Sequence, residues 1–478
     1  MKTDWSWRKF VMALFLSCVV SIVSMSLISG AIVIYGQAPG AGKTTQAARP
    51  ERVILISVDG MPPDYYTAPE KLGLRAPTLS MMKQSGAYAE GMEGVYPTVT
   101  YPQHTTMVTG LRPADHGIVQ NRIFEAPSDP QTRYWYWYAN ALKGETLWTV
   151  AKNAGLTTAA VGWPVTVGAE IDYNVPEIYE PGESPATWKW TARHSTPGLL
   201  EKALGPDLKK DSSVDERLTS VAEFIINNYR PNLLLLHLIE LDGAHHRHGP
   251  RTKAGIETAE REDGYIRRVI DATKQAGIFE KTTFIVVSDH GFANIDKRFS
   301  PNVPLAKEGL ITLDAAGKAT AWKAAAWPAG GSCAIVLKDL NDKETEAKVI
   351  ALFSKLAKQE RSPIKQILSR AELRKLKAVP QAALMLEAAP GYSFDDTLTG
   401  EEVRESGDSY KGTHGYLPTD PRMRASLIIY GAGARAGAKL PLARMTDLAP
   451  SIAVLLKLKL PQPEGKPLKE LLNNGATR

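Results

Sequence analysis

Cysteine is scarce in this sequence, and its positive charge is modest. The 478 residues contain two cysteines, Cys18 in an apolar N-terminal segment and Cys333 alone in the body of the chain. We therefore expect no intramolecular disulfide in the mature fold, and a chain of this length buries enough core to fold without one. The net charge of +6 is small for this size, so we expect no specific nucleic-acid binding.

The composition is that of an ordinary globular protein, with 44% hydrophobic and 23% charged residues. These values exclude a disordered or fibrous chain, and no internal repeat is present. The densest basic stretch, residues 364–377, interleaves its charges with apolar residues, so it predicts an amphipathic helix with a solvated basic face.

A long uncharged segment lies near the N-terminus, where Lys2, Arg8 and Lys9 precede residues 10–35. The pattern predicts a secretory signal or an uncleaved membrane anchor within residues 1–36, and the length of the apolar run favours the anchor. Positive residues on its amino side keep that end in the cytoplasm. We therefore expect the body to be exported to the periplasm or the extracellular space, with residues 10–35 contacting the membrane if they are not cleaved.

The next stretch, GQAPGAGKTT at residues 36–45, is superficially similar to a phosphate-binding loop. Gln37 stands where that motif requires a glycine, and the stretch lacks the preceding buried strand. We interpret residues 37–50 as a flexible linker.

Short apolar runs alternate with helical patterns through most of the body. The runs are residues 52–60, 232–243, 282–291 and 425–433. Continuous rather than alternating runs are typical of strands buried on both faces of a mainly parallel sheet. Helical patterns lie at residues 76–88, 146–155, 214–229, 254–277 and 446–457. Together they predict an α/β layered domain with helices on both faces of the sheet.

This alternation is interrupted at residues 296–404, and the sheet pattern resumes at residue 425. The interruption predicts an inserted, smaller α+β subdomain. The layered core then comprises residues 51–295 and 405–463, and residues 464–478 form a C-terminal tail.

Three of the predicted strands lead into acids. Asp59 closes the first, Asp242 the second and Asp289 the third, where His290 follows directly. In parallel α/β sheets the carboxyl ends of the strands meet at one edge, where ligands bind. Acids gathered there repel one another unless cations neutralise them, so they indicate a metal centre rather than three separate helix caps.

Four of the nine histidines lie in the stretch LLHLIELDGAHHRHGP. His246 follows Asp242 by four residues, and one helical turn places both on one face. His237 lies inside the apolar strand and is interpreted as a hydrogen-bonded core histidine. The other two are expected to be solvated loop residues: His245 and His248.

A further imidazole is available at His414, where flanking glycines let the backbone approach closely. Three histidines and three aspartates suit Zn²⁺ best, with Mn²⁺ or Fe²⁺ as alternatives, and they exceed what one four-coordinate zinc uses. Two metal ions are therefore implied. Residues 96–121 are rich in hydroxyl groups that a metal would activate as nucleophiles. Composition does not choose among the candidates, which are Thr98, Thr100, Thr105, Thr106 and Thr109.

Five motifs occur in the order found in nucleotide pyrophosphatase/phosphodiesterases of the alkaline phosphatase superfamily. They are ISVDGMPPDYY, PTVTYPQHTTMVTGLRPADHGIVQN, ELDGAHHRHGP, VVSDHGF and GTHGYLP. The chain resembles this family over residues 52–300 and 405–460. The resemblance implies a three-layer α/β/α alkaline-phosphatase-like core with a mainly parallel central sheet. It also implies a hydrolase that acts on phosphodiester or pyrophosphate bonds of nucleotides or related small-molecule diesters.

The resemblance also assigns roles to single residues. One zinc ion is implied to bind Asp242, His246 and His414. The other is implied to bind Asp59, Asp289, His290 and the oxygen of Thr100.

Thr100 is then the nucleophile, which forms a covalent phosphoryl-enzyme intermediate. Asn121 is implied to donate a hydrogen bond to a phosphoryl oxygen, and a neutral donor suits the single negative charge of a diester. Tyr101 is implied to stack on a nucleobase, with Tyr179 on the other side of the same slot.

The sequence departs from the family pattern at Leu241, at Gln103 and at the pair Leu417 and Pro418, which is expected to border the pocket. Substrate identity therefore stays open, and two alternatives share the chemistry. One is a phosphomonoesterase or phosphonate hydrolase, and the other is a membrane-anchored transferase of phospho-head groups. We expect no nuclease-like domain like that of the animal enzymes, which would make the chain similar to a bacterial, single-domain member.

Overall fold

The computed structural model describes residues 52–129, 134–179 and 188–473. The predicted signal or anchor at residues 1–36 and the linker at residues 37–50 lie outside these residues. Within the described ranges, no helix combines the length and the apolar character needed to cross a membrane.

The described residues form 20 strands and 15 α-helices. The strands are β1 (Arg52–Val58), β2 (Ala87–Ala89), β3 (Met92–Glu93), β4 (Thr158–Trp163), β5 (Tyr173–Pro176), β6 (Leu233–Leu238), β7 (Thr282–Val287), β8 (Ala293–Phe299), β9 (Ile311–Leu313), β10 (Ala319–Trp322), β11 (Ala324–Ala329), β12 (Ser332–Leu337), β13 (Ile364–Ser369), β14 (Ala382–Ala388), β15 (Gly391–Phe394), β16 (Val403–Glu405), β17 (Gly412–Thr413), β18 (Leu427–Gly431), β19 (Lys439–Leu440) and β20 (Ala443–Arg444). The helices are α1 (Asp64–Thr67), α2 (Pro69–Leu72), α3 (Pro77–Ser85), α4 (Thr100–Thr109), α5 (Pro113–His116), α6 (Leu147–Asn153), α7 (Lys189–His194), α8 (Leu199–Leu204), α9 (Val214–Tyr229), α10 (Glu240–His248), α11 (Lys253–Gln275), α12 (Asn302–Lys307), α13 (Lys343–Ala357), α14 (Arg370–Leu376) and α15 (Leu448–Leu455).

A central sheet of eight strands has the order β19-β2-β18-β7-β1-β6-β4-β5. The five strands from β7 to β5 are parallel to one another, and β18 joins β7 in the antiparallel sense. In the middle of the sheet, Ile56 of β1 lies opposite Leu236 of β6 and Val286 of β7. The predicted mainly parallel sheet is therefore confirmed.

Helices cover both faces of this sheet. Alternate residues of each central strand point to opposite sides, so each strand contributes to two apolar clusters. Ile54 and Ile56 belong to one buried cluster, which also contains apolar residues of α3, α9 and α11. Val53 and Leu55 belong to another, which contains residues of α4, α6 and α15. The continuous apolar run of β1 follows from burial on both sides. The three-layer α/β/α class is confirmed.

β7 and β18 are neighbours in the central sheet, but they are far apart in sequence. None of the described residues between them in sequence joins this sheet. The chain there forms two four-stranded sheets instead, β11-β12-β14-β13 and a sheet in which β15, β16 and β17 pair with β8. The helix α13 packs with them over a separate apolar core. These sheets span residues 293–413, slightly more than the predicted inserted subdomain at residues 296–404.

The predicted amphipathic helix at residues 364–377 is wrong. Residues 364–369 form β13, and a capping box between Ser369 and Glu372 begins the short helix α14. The pairing of β13 with β14 shifts between Ile364 and Gln366. This irregularity lets Ile364 and Ile367 contact one core while Leu368 contacts another, which produces a helix-like spacing of apolar residues.

Glu387 of β14 connects this region to the loops at the carboxyl edge of the central sheet. Its carboxyl group accepts hydrogen bonds from the Tyr96 hydroxyl at 3.2 Å and from the backbone N–H of Leu417 at 2.7 Å. Tyr96 precedes α4, and Leu417 follows His414 by three residues. Burial raises the pKa of Glu387 to about 8.

We predict that Glu387→Gln removes a pH-dependent loss of stability. The folded protein keeps a proton on Glu387 that the unfolded chain, with a pKa of 4.5, releases. The free energy of unfolding of the wild type therefore falls, relative to the variant, as the pH rises from about 5 to 8, by up to ~1.4 kcal/mol per pH unit. Urea unfolding at several pH values measures this difference.

The exposed Glu405 of β16 provides the control, since Glu405→Gln should follow the wild type at every pH. If the Glu387→Gln and wild-type curves run parallel across this range, the buried protonated carboxyl is refuted.

Candidate metal centre

Three acids meet at the carboxyl edge of the central sheet, as their strand positions predict. Asp59 follows β1, Asp289 follows β7 by two residues, and Asp242 lies in the first turn of α10, just after β6. Since β1 lies between β6 and β7, the three carboxylates are brought together. Asp59 and Asp289 are buried, and Asp242 is half-buried.

The three candidate histidines share one hydrogen-bonding pattern, in which Nδ1 faces a backbone carbonyl. The distances are 2.9 Å from His246 to Gly412, 3.1 Å from His290 to Gly291 and 3.0 Å from His414 to Thr98. Because a carbonyl only accepts, Nδ1 carries a proton in each ring, and Nε2 is the nitrogen that remains available to a metal ion. This is the tautomer that a metal-binding histidine uses when its second nitrogen is held by the backbone.

The Nε2 atoms face the carboxylates at close range. Nε2 of His246 and of His414 lie 3.4 and 3.6 Å from Oδ1 of Asp242. Nε2 of His290 lies 3.4 Å from Oδ1 of Asp59 and 3.0 Å from Oδ2 of Asp289. Ligand atoms converge within 4.8 Å in two groups that share His290: Asp59, Asp289 and His290, and Asp242, His290 and His414.

Four of these buried atoms have no hydrogen-bond partner. They are Oδ1 of Asp59, Oδ1 of Asp242, Oδ2 of Asp289 and Nε2 of His290. Buried polar atoms are nearly always paired, so carboxylate oxygens that face one another and an imidazole require positive charge between them, from protons or from metal ions. The donor set therefore fits divalent metal ions with mixed nitrogen and oxygen ligands.

Proton binding partly compensates the charges of the metal-free centre. Burial, together with repulsion from Asp289 and Asp242, raises the pKa of Asp59 well above its usual range. Burial lowers the pKa of His290, but Asp289 outweighs this and raises it to about 9. Divalent cations would remove the need for these protons, because metal ligands bind in the deprotonated form.

Thr100 and Asn121 lie at the edge of the centre. Thr100 is the first residue of α4, so its side chain lies at the positive end of the helix dipole, which favours an anion. It lines a cavity of about 320 Å³ together with Asp59 and Asp242. Oδ1 of Asn121 accepts the N–H of Tyr101 at 2.8 Å, so the amide nitrogen of Asn121 stays a donor.

Three aromatic residues also line this cavity: Trp135, Tyr179 and Trp188. Tyr101 is not part of the lining. Its ring is completely buried, packs against Trp135 at 5.2 Å between ring centroids, and turns its hydroxyl to Glu177 at 3.3 Å. Trp135, and not Tyr101, therefore lines the cavity in which the resemblance implies that Tyr101 stacks on a nucleobase.

A short antiparallel pairing connects Trp135 to Asn121. The N–H of Tyr136 donates to the carbonyl of Asn121 at 3.0 Å, and Arg122 forms a β-bridge with Trp135. No periodic signal in the sequence marks this pairing, so sequence reasoning missed Trp135.

His237 is a hydrogen-bonded core histidine, as predicted, but its partners belong to the site. Nε2 lies 3.1 Å from Oδ2 of Asp59, and Nδ1 lies 3.3 Å from the carboxylate of Glu177, which lines the cavity. Burial lowers the pKa of His237, and hydrogen bonds to Asp59 and Glu177 reverse this and raise it well above its usual value. His237 thus orients a candidate ligand. In the sheet, His237 lies opposite Ser57, two residues before Asp59, and this register brings the imidazole to Asp59.

Two expectations from the sequence are wrong, one about His245 and one about Leu417. His245 is not a solvated loop residue, because it lies on α10, is completely buried and hydrogen-bonds the Tyr65 hydroxyl at 2.9 Å. His248 is exposed as expected but ends the same helix. Leu417, expected to border the pocket, lines a different cavity of about 420 Å³.

The fold and the site define an alkaline-phosphatase-like α/β protein with a candidate two-metal centre. The family model described as type I phosphodiesterase / nucleotide pyrophosphatase matches residues 53–417, and the chain belongs to this family.

Similar proteins support this placement. Human ectonucleotide pyrophosphatase/phosphodiesterase family member 1 is 28% identical over 253 residues, which are 50% of this chain and 23% of that protein. Venom phosphodiesterase 2 of Crotalus adamanteus is 27% identical over 252 residues, or 51% of this chain and 27% of that protein. The chain thus spans about a quarter of the length of the curated relatives it matches.

Two solved structures share the fold. Human ectonucleotide pyrophosphatase/phosphodiesterase 5 has a TM-score of 0.63 at 19% identity and covers 89% of this chain and 100% of its own. The murine protein, an inactive threonine-to-alanine variant in complex with AMP, has a TM-score of 0.62 at 18% identity, with 88% and 100% covered.

If His246 is a ligand, as the resemblance implies, we predict that His246→Gln lowers the zinc content of the purified protein by about one ion per chain, because it removes a nitrogen ligand. His248→Gln, at the exposed end of the same helix, is the matched control and should bind as much zinc as the wild type. Metal analysis after dialysis against trace zinc measures both. Equal zinc loss in the two variants would refute the assignment of His246.

Proposed function

We propose that this chain is a zinc-dependent phosphodiesterase/nucleotide pyrophosphatase that works through a covalent threonine intermediate. One observation carries the proposal: four unpaired buried ligand atoms converge beside Thr100, which begins a helix. Family membership supports the same chemistry. Zn²⁺ suits the mixed imidazole and carboxylate donors best, and Mn²⁺ and Fe²⁺ are the alternatives.

In this proposal, the ligands divide between two ions. One ion is held by Asp242, His246 and His414, and the other by Asp59, Asp289, His290 and the oxygen of Thr100. The short distances from Asp242 to two imidazole Nε2 atoms support the first set. When bound, such ions lower the pKa of a coordinated oxygen and neutralise charge on the phosphoryl group.

Thr100 is the proposed nucleophile. Its deprotonated oxygen attacks phosphorus, the bond from phosphorus to the leaving oxygen breaks, and a phosphothreonine forms. Water then cleaves this ester and restores the hydroxyl group. The N-terminus of α4 stabilises the negative charge at this position.

Asn121 is the proposed donor to a phosphoryl oxygen. Oδ1 accepts the N–H of Tyr101, which fixes the orientation of the side-chain amide and leaves its NH₂ group to donate. A neutral donor matches the single charge of a diester, whereas an arginine would match a dianionic monoester better.

The aromatic residues that line the cavity support a substrate with a planar group such as a nucleobase. Trp135 and Tyr179 both belong to this lining, and Tyr101 packs against Trp135. Aromatic faces stack on bases without reading their identity, so the proposal names nucleotides and related diesters. The AMP bound to the murine relative is a nucleotide of this kind.

The proposed location is outside the cytoplasm. It rests on the apolar segment at residues 10–35 and on the charges that precede it. The names of the relatives, which include ectonucleotide enzymes and a venom enzyme, agree with export.

The first test compares two substrates on protein stripped of metal and then reloaded with zinc. We expect zinc-dependent release of p-nitrophenol from p-nitrophenyl-thymidine monophosphate and weak release from p-nitrophenyl phosphate. Thr100→Ala should abolish the diesterase activity, because it removes the nucleophile. Thr312→Ala, an exposed threonine on β9, should leave it unchanged.

Preference for the monoester would instead support a phosphatase and overturn the argument from Asn121. No turnover of either substrate by zinc-loaded protein would favour the transferase alternative, in which an alcohol replaces water.

We predict that Asn121→Ala lowers kcat for the diester by ~10²-fold or more, the typical cost of losing a donor to a developing negative charge. Zinc content should stay at the wild-type level, because Asn121 is not a ligand. Asn228→Ala, on the exposed side of α9, is the control. A change in KM alone, with kcat unchanged, would contradict the proposed contact in the transition state.

A further inference from the structure

A second acidic cluster lies apart from the candidate metal centre. Asp215 in the first turn of α9, Glu240 at the start of α10 and Glu262 in α11 each place an oxygen within 4.8 Å of the others. Asp215 and Glu262 are buried, with 0% and 1% exposure, and Glu240 is half-buried. None of the three is a ligand candidate for the two zinc ions.

The hydrogen bonds of the cluster leave one member without a donor. The carboxylate of Asp215 accepts the N–H groups of Ile239 and Glu240 at 2.9 and 2.8 Å, and Glu240 accepts the N–H of Asp215 at 3.2 Å. Among the described residues, no N–H or hydroxyl group donates to either carboxylate oxygen of Glu262, whose carboxyl group faces that of Asp215 inside the cluster. An unpaired buried carboxylate is costly, so something absent from the polypeptide must meet it.

Either a proton or a cation can meet this need. Burial and the neighbouring Glu240 raise the pKa of Asp215 to about 6, and burial and Asp215 raise the pKa of Glu262 well above its usual range. A proton shared between Asp215 and Glu262 neutralises one of the three acids, and Arg217 and Arg261 attract Glu240 and Glu262 from nearby. A divalent cation differs from both in that it uses an oxygen from each of the three acids.

The surroundings supply what a cation needs besides carboxylates. A cavity of about 540 Å³ borders Glu240 and is open to solvent beside Gly243, Arg247 and Thr258. It gives an ion an entry path and room for water ligands. Oxygen is the only donor type in the cluster, which suits hard ions such as Ca²⁺ or Mg²⁺ and not Zn²⁺.

We propose that Asp215, Glu240 and Glu262 bind a hard divalent cation, with Ca²⁺ as the probe that tests it. Asp215 caps the start of α10, and this helix carries Asp242 and His246. The cation therefore holds α10 against α9 and α11 and acts as a positioning element for two zinc ligands. Binding of the cation does not depend on the reaction proposed above, whereas its positioning role rests on the zinc ligands of the proposed function.

Binding to the zinc-loaded full chain is the direct test. Equilibrium dialysis with radioactive Ca²⁺, with zinc supplied at two ions per chain, should find one Ca²⁺ per chain. The midpoint of thermal unfolding should rise with the logarithm of the Ca²⁺ concentration, because the ion binds only the folded state. Glu262→Gln should abolish both effects.

Glu257→Gln is the matched control, since Glu257 lies on the same helix and borders the same cavity but is exposed. It should keep the wild-type Ca²⁺ response. Glu240→Gln, at a half-buried position, gives a second variant that should lose Ca²⁺ binding if Glu262→Gln does not fold.

Two results would overturn the proposal. One is the absence of bound Ca²⁺ and Mg²⁺ from wild-type protein while Glu262→Gln unfolds at the wild-type temperature, which identifies a shared proton. The other is an equal Ca²⁺ response in the wild type, in Glu262→Gln and in Glu240→Gln, which places the ion elsewhere.

Discussion

The carboxylates of Asp59, Asp242 and Asp289 repel one another at the sheet edge, and the backbone of the central strands fixes their positions. The parallel register of β6, β1 and β7 fixes Asp59 and Asp289 on neighbouring strands and starts α10 beside them. Separating the acids would break the central ladder. The repulsion must therefore be met by positive charge, and the imidazoles, their protons and bound cations are what the fold offers.

The same constraint reaches the loops through the second nitrogen of each histidine. His414 is held by the carbonyl of Thr98, and the Thr98 hydroxyl donates to the carbonyl of Tyr416 at 2.8 Å. The loop before α4 and the loop that carries His414 thus fix each other. Glu387 of the separate four-stranded sheet holds both from outside, through Tyr96 and Leu417. Ligand geometry at the centre therefore depends on a region far away in sequence.

The sequence predicted the strands, and it predicted that the candidate ligands converge at one sheet edge. Both leave local signals: continuous apolar runs, acids at strand ends, and the four-residue spacing of Asp242 and His246. It predicted poorly wherever position depends on contacts between distant segments. Trp135, which lines the cavity, forms an isolated β-bridge with Arg122, next to Asn121, and its ring packs against Tyr101. At residues 364–377 the strand irregularity imitates a helical period. Such a pattern is indistinguishable from a helix without its partner strand.

The lining of the cavity limits how a phosphate can bind there. Asp59, Glu177 and Asp242 contribute carboxylates, and none of the described residues in the lining is Lys or Arg. The polypeptide by itself therefore repels an anion at this position, apart from the N-terminus of α4 and the amide of Asn121. Favourable phosphate binding then requires cations held by the same carboxylates. In the proposed function, metal binding and substrate binding would therefore be coupled, because one set of charges serves both.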